Sequence, residues 1–97
     1  MADTDTVVHD EEGHRFVLMR GDREIGETVY IVREDGGLVF THTEVDQELQ
    51  ERGLGSRLVG AALDQLRTSS TARIRATCPF VRRYLESHPE YEDLTTR

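Results

Sequence analysis

Apolar and polar residues alternate with period two over much of the first half of the chain. From His14 to Arg20, Phe16 and Leu18 fall on one face and Val17 and Met19 on the other. Gly13 precedes this run and Gly21-Asp22 follows it, which predicts a strand ending in a tight turn. Glu24 to Val32 reads as a second strand, with Ile25, Val29 and Ile31 set against Thr28, Tyr30 and Val32. Arg33-Glu34-Asp35-Gly36-Gly37 is a hairpin turn, because Asp-Gly tolerates the positive φ that such turns demand. Leu38 to Val45 is a third strand, rich in β-branched and aromatic residues. Thr6 to Asp10 is either a short fourth strand or a frayed start. The strands predict an antiparallel meander.

After Val45 the period changes. Asp46 to Glu51 is a polar connection of loop or short-helix character. From Ser56 onward Leu58, Val59, Ala62, Leu63 and Leu66 recur at helical spacing, leaving Asp64, Gln65 and Arg67 outside. Thr68-Ser69-Ser70 ends that helix. Ala72 to Thr77 is a short strand, and its place after a helix predicts a right-handed parallel crossover. Cys78-Pro79 opens a last helix, Phe80 to Ser87, since proline suits a first helical position. His88-Pro89 closes it, and the tail to Arg97 reads as polar. The class is α+β: a three- to four-stranded antiparallel meander, then helix, parallel strand and C-terminal helix.

Length and composition narrow the function classes. The chain has 97 residues, which fits one domain with a modest core burying ~65% of the unfolded surface. No apolar run approaches the ~20 residues needed to span a bilayer. The acidic start MADTDTVVHDEE resembles neither a signal nor a transit peptide, so the expected location is cytoplasmic. Cys78 is the sole cysteine. All 12 basic residues are arginine, which excludes a Walker-type phosphate loop, a Schiff-base lysine and a lysine general base. Residues 1–51 hold fourteen acids and four arginines, a net −10, while residues 52–97 hold five acids and eight arginines, a net +3. The acidic half argues against general nucleic-acid binding. The basic half suits an anionic ligand.

Candidate chemistry centres on Gln50-Glu51-Arg52-Gly53-Leu54-Gly55-Ser56-Arg57, between the third strand and the first helix. Two glycines one residue apart let the backbone approach a ligand with no Cβ in the way. The helix that follows offers unpaired N–H groups to an anion, though the same pattern also builds ordinary structural turns. Cys78 sits where the last helix begins, a position that lowers a thiol's pKa. Arg73, Arg75, Arg82 and Arg83 would add to that effect if they lay close. Cys78 is thus either a nucleophile or acyl acceptor, or a small residue filling the seam between strand and helix. His42 and Glu44 share a strand face, together with Phe40, and could relay a proton. Equally, His42 could bond a neighbour and Glu44 cap the next loop. Tyr84, on the last helix, is a proton donor facing a cleft or a core or interface aromatic, and Tyr91 follows Cys78 by thirteen residues. His9, His14 and His88 are scattered without zinc-ligand spacing, so no metal is expected.

Taken together these residues resemble a known family. Gln50-x-x-Gly53-x-Gly55 matches the Arg/Gln-x-x-Gly-x-Gly/Ala signature of the GCN5-related N-acetyltransferases. His42-Thr43-Glu44-Val45, Arg52-Gly53-Leu54-Gly55-Ser56, Cys78-Pro79-Phe80-Val81 and His88-Pro89-Glu90-Tyr91 resemble, in that order, the minimal YjdJ-like group. The resemblance covers about residues 10–94 and implies a truncated acetyltransferase fold that binds acetyl-CoA. It implies that the amides of the turn from Gln50 to Arg57, with Arg52 and Arg57, hold the pyrophosphate. The pantetheine arm would lie between Leu38–Val45 and Ala72–Thr77, with Val45, Cys78 and Tyr84 beside it. The thioester would end near His42 and Cys78, where Glu44 or His42 accepts the amine proton and a strand N–H polarises the carbonyl.

The full family has an N-terminal helix pair that this chain lacks room for. The resemblance therefore implies a shallow acceptor site, or one completed by a macromolecular substrate, and favours a protein or peptide amine. The alternative from another class is a non-catalytic CoA or acyl-CoA binding module acting as sensor or adaptor. Neither reading calls for nucleic acid or membrane, and a monomer or weak homodimer is expected.

Overall fold

The structure is a computed structural model and describes residues 5–49 and 51–97. Four strands form the antiparallel meander: β1 (Asp5–Asp10), β2 (Arg15–Arg20), β3 (Arg23–Val32) and β4 (Leu38–Val45). Helix α1 (Leu54–Ser69) follows, then β5 (Ile74–Ala76), which lies parallel to β4 at the end of the sheet. Helix α2 (Pro79–Ser87) comes next. The Asp35-Gly36 turn closes as expected: the Arg33 amide reaches the Gly37 carbonyl at 2.8 Å, and Gly36 has φ +87°. Between β4 and α1, Gln47–Leu49 makes a single 3-10 turn.

One face of the sheet carries the core. Phe16, Leu18, Ile25, Tyr30 and Phe40 pack there with the α1 stripe of Leu58, Val59, Ala62, Leu63 and Leu66, and with Val81 of α2. Burying such residues contributes about 1.5–3 kcal/mol each. The Gln65 side chain donates to the Val7 carbonyl at 2.9 Å, so α1 also covers part of the exposed sheet edge.

The strand register slips twice, and each slip moves side chains across the sheet. Leu18 pairs with Gly26 but Met19 with Glu24, leaving Ile25 unopposed. Tyr30 pairs with Phe40 but Val29 with His42, leaving Thr41 unopposed. A one-residue bulge reverses the alternation beyond it. Ile25 therefore joins Thr28 and Tyr30 on the core face, not Val29 and Ile31 as strict alternation requires. By the same step His42 and Glu44 leave the face of Phe40.

The tail is more than polar chain. Pro89–Tyr91 forms a 3-10 turn and Glu92–Thr95 a short helix, α3. Tyr91 and Leu94 are buried in the core, and the Arg97 guanidinium donates to the Ser70 carbonyl at 2.7 Å and the Ala72 carbonyl at 3.0 Å. No helix among the described residues is long and apolar enough to cross a membrane.

Candidate active site

Strands β4 and β5 are parallel neighbours only over three pairs, the last being Phe40 with Ala76. There the Phe40 carbonyl accepts two amides, from Thr77 at 2.9 Å and Cys78 at 3.1 Å. A carbonyl shared in this way ends the ladder and turns the chain out of the sheet. β4 runs on to Val45, so Thr41 to Val45 keeps a strand neighbour only on the β3 side. A gap thus opens at the C-terminal ends of two parallel strands, where α/β sheets commonly seat ligands.

Both helices start at this end. Gly53 is the N-cap of α1 with φ +81°, in the left-handed region, and no side chain caps the helix. The Arg57 amide takes the Gly53 carbonyl at 2.9 Å, leaving the amides of Leu54, Gly55 and Ser56 as the free donors of the first turn. Leu54 is buried in the core, whereas Arg52, Gly53 and Ser56 are exposed. The two glycines serve different ends. A Cβ on Gly53 would meet nothing, so that position needs glycine for its backbone angle. A Cβ on Gly55 would stand 2.7 Å from the Phe80 ring, so Gly55 lets α2 pack closely on α1. Glu51 and Arg57 are tied into ion pairs: Arg20 reaches Asp5 at 2.7 Å and Glu51 at 2.5 Å, and Arg57 also binds Asp5. Arg52 has no ion pair among the described residues. Gln50 lies outside them.

Cys78 is the N-cap of α2, buried, with its sulfur 3.5 Å from the Thr43 hydroxyl. Burial pushes the thiol up. The Thr43 hydroxyl and the amides of Val81, Phe80 and Thr43 outweigh it and hold the thiol below its ordinary value. Hydroxyl and amides do this, rather than the arginines near Cys78 in sequence.

His42 and Glu44 stand on the other face of β4 from Thr43 and Cys78. Their side chains meet at 3.2 Å, both exposed. Glu27 lies opposite Glu44 in the register, and one ligand atom from each of Glu27, His42 and Glu44 lies within 4.8 Å of the others. Spacing along the sequence does not reveal this set because it assembles across strands. Glu27 already pairs with Arg15 at 2.9 Å. The three residues named for catalysis therefore flank β4 from two sides and do not form one cluster. Val45, half-buried, packs on the core beyond Gly26.

Ser56, Phe80, Arg83, Tyr84, Ser87 and His88 line a groove of about 270 Å³ between the first turn of α1 and α2. The Tyr84 hydroxyl seats against Gly60, where a Cβ would lie 2.5 Å away. Burial raises the Tyr84 phenol above its ordinary value, keeping it protonated. His88 stacks on Tyr84 with ring centres 3.9 Å apart, and its Nδ1 lies 2.8 Å from the Tyr84 carbonyl, so Nδ1 carries the proton. Tyr91 donates to Asp64 at 2.7 Å and belongs to the core, not the groove. Residue pattern alone assigns Arg83 no part in this groove and Thr43 no role; a polar residue inside a strand carries no signal of what it faces.

The sequence model described as GCN5-related N-acetyl-transferase matches residues 15–94. No curated protein matches the chain. Among solved structures, the solution structure of a GCN5-like, proposed N-acetyltransferase from Staphylococcus aureus covers 92% of this chain and 85% of its own, with a TM-score of 0.67 and 24% identity. That likeness concerns the fold: a small sheet of mostly antiparallel strands, helices and a parallel strand pair. The family match does not reach the narrower YjdJ-like group. With four-fifths of its length matched, this chain belongs to the GCN5-related N-acetyltransferase family.

Proposed function

We propose that this chain binds acetyl-CoA at the diverging ends of β4 and β5 and transfers the acetyl group to an amine, with a protein or peptide amine favoured. The shared Phe40 carbonyl carries this reading, because it opens the sheet beside both the Cys78 thiol and the uncapped turn of α1. The amides of Leu54, Gly55 and Ser56 suit a pyrophosphate, and Arg52 and Arg83 supply nearby positive charge. The free side of Thr41–Val45 offers backbone groups to a pantetheine amide and an N–H to the thioester carbonyl. The groove walled by Phe80, Tyr84 and His88 extends the same surface.

In this reading Cys78 takes the acetyl group first. Its thiolate attacks the thioester carbon, a new S–C bond forms at Cys78, and the bond to the CoA sulfur breaks, CoA leaving as the thiol after protonation from solvent. An amine arriving from the far side of β4 then forms the C–N bond and frees Cys78, its excess proton passing to His42 or Glu44. A second reading, direct transfer without Cys78, is favoured by the placement of His42 and Glu44 on the face opposite the thiol. Intact-mass spectrometry after mixing with acetyl-CoA separates the two. An acetyl adduct lost in Cys78→Ala supports the relay. Turnover of a peptide amine with no adduct supports direct transfer, and neither adduct nor turnover leaves a binding module.

A further inference from the structure

Apart from tyrosines and Cys78, Thr28 is the only polar residue buried in full among those described. Burying a hydroxyl in an apolar core is unfavourable unless it is paired. Its partner is the Thr43 hydroxyl, 2.9 Å across the β3–β4 register, and Thr43 in turn lies 3.5 Å from the Cys78 sulfur. The bulge at Thr41 makes this line possible, since without it Thr43 would face away from the core.

We propose that Thr28 is a positioning residue for Cys78, acting through Thr43: the two hydroxyls form a short chain whose polarity reverses when the thiol ionises. The proposal rests on the reading of Cys78 as the acetyl acceptor. With the thiol protonated, S–H donates to Thr43 and Thr43 donates to Thr28. When the thiol proton leaves for solvent, Thr43 turns its hydrogen to the sulfur and Thr28 turns its own to Thr43. With the thiol protonated the Thr28 hydrogen is left without an acceptor in this chain, whereas with the thiol ionised both hydroxyl hydrogens are used. The ionised state gains more from the chain, because a bond to a charged sulfur is stronger and is strengthened further by the second donor.

Charged groups on the packed elements do not duplicate this. His42 and Glu44 occupy the other face of β4, and Arg75 pairs beside Val39 on that outer face. On α2, Arg82 and Arg83 are exposed; on α1, Arg57 is bound to Asp5. β3 presents Thr28 and Tyr30 on the core side.

Cys78 is the chain's one thiol, so the rate of iodoacetamide alkylation against pH reads it directly in the intact protein. Thr43→Val and Thr28→Val should both move the midpoint upward, the first more than the second, with the rate at pH 7 falling about three- to tenfold. Thr28→Ser should restore the wild-type profile. A Thr28→Val protein that folds and alkylates with the wild-type midpoint, while Thr43→Val is shifted, overturns the proposal. Should Thr28→Val fail to fold, proton resonances of the wild type decide instead. A Thr28 hydroxyl signal that follows the Cys78 titration supports the chain, and one that ignores it overturns the chain. Alkylation needs no acetyl-CoA, so the absence of an acetyl adduct would defeat the relay reading and leave this outcome standing by itself.

Discussion

The ring of Phe80 occupies the space that any side chain at Gly55 would need, with its ζ carbon 2.7 Å from the position of a Cβ. This contact locks the first turn of α2 onto the first turn of α1 and sets the two helix starts side by side. Gly55→Val should therefore lower stability by about 1–3 kcal/mol through overpacking. Gly53→Ala should cost about 1–2 kcal/mol for its left-handed backbone alone. Urea unfolding measures both, and a neutral Gly55→Val would disprove the contact's importance. Because Gly55→Val disturbs packing as well as any ligand, the turn's part in binding is better tested at Arg52.

Asp5 joins β1 to the glycine turn through Arg20 and Arg57. The Arg20 hydrogen bond is the largest cause holding the Asp5 carboxyl below its ordinary value, and the same arginine lowers Glu51. Both are carboxyls with depressed folded pKa values. Their stabilisation is present in full above the ordinary carboxylate range and is lost as pH falls through the lowered values. Asp5→Asn should lower the thermal midpoint at neutral pH and flatten its decline from about pH 5 downward. An unchanged acid limb would remove this network from the stability account.

The C-terminal turn should be structural. Leu94 is fully buried, so Leu94→Ala should cost about 2–5 kcal/mol in chemical denaturation. A loss below about half a kcal/mol would mean that the tail does not close the core.

Much of this arrangement was legible in the residues. Four strands and two helices follow from hydrophobic period and turn chemistry, and β4 matches its expected bounds at both ends. The side of the sheet on which each residue falls was less legible. Bulges at Ile25 and Thr41 depend on how neighbouring strands register, which no single strand's alternation encodes. That is why Phe40, His42 and Glu44 read as one face and are two. The tail was missed because Tyr91 and Leu94 are too few to show a period. The roles of Thr28 and Thr43 emerge only once β3, β4 and α2 meet.

His42 and Glu44 should matter to turnover and not to cofactor affinity. His42→Ala with Glu44→Gln should lower kcat for a peptide amine by about 10²–10⁴-fold. Acetyl-CoA affinity measured by calorimetry should stay within about twofold if the groups work only on the amine. A loss of affinity equal to the loss of rate would place these side chains in cofactor binding instead.

Acetyl-CoA seated where β4 and β5 part should be visible residue by residue in an amide-resolved NMR titration. Saturable shifts are expected at Leu54, Gly55 and Ser56, along Thr41 to Val45, and at the start of α2. Saturation without movement of these amides, or no binding of acetyl-CoA or CoA at millimolar concentration, would contradict that placement.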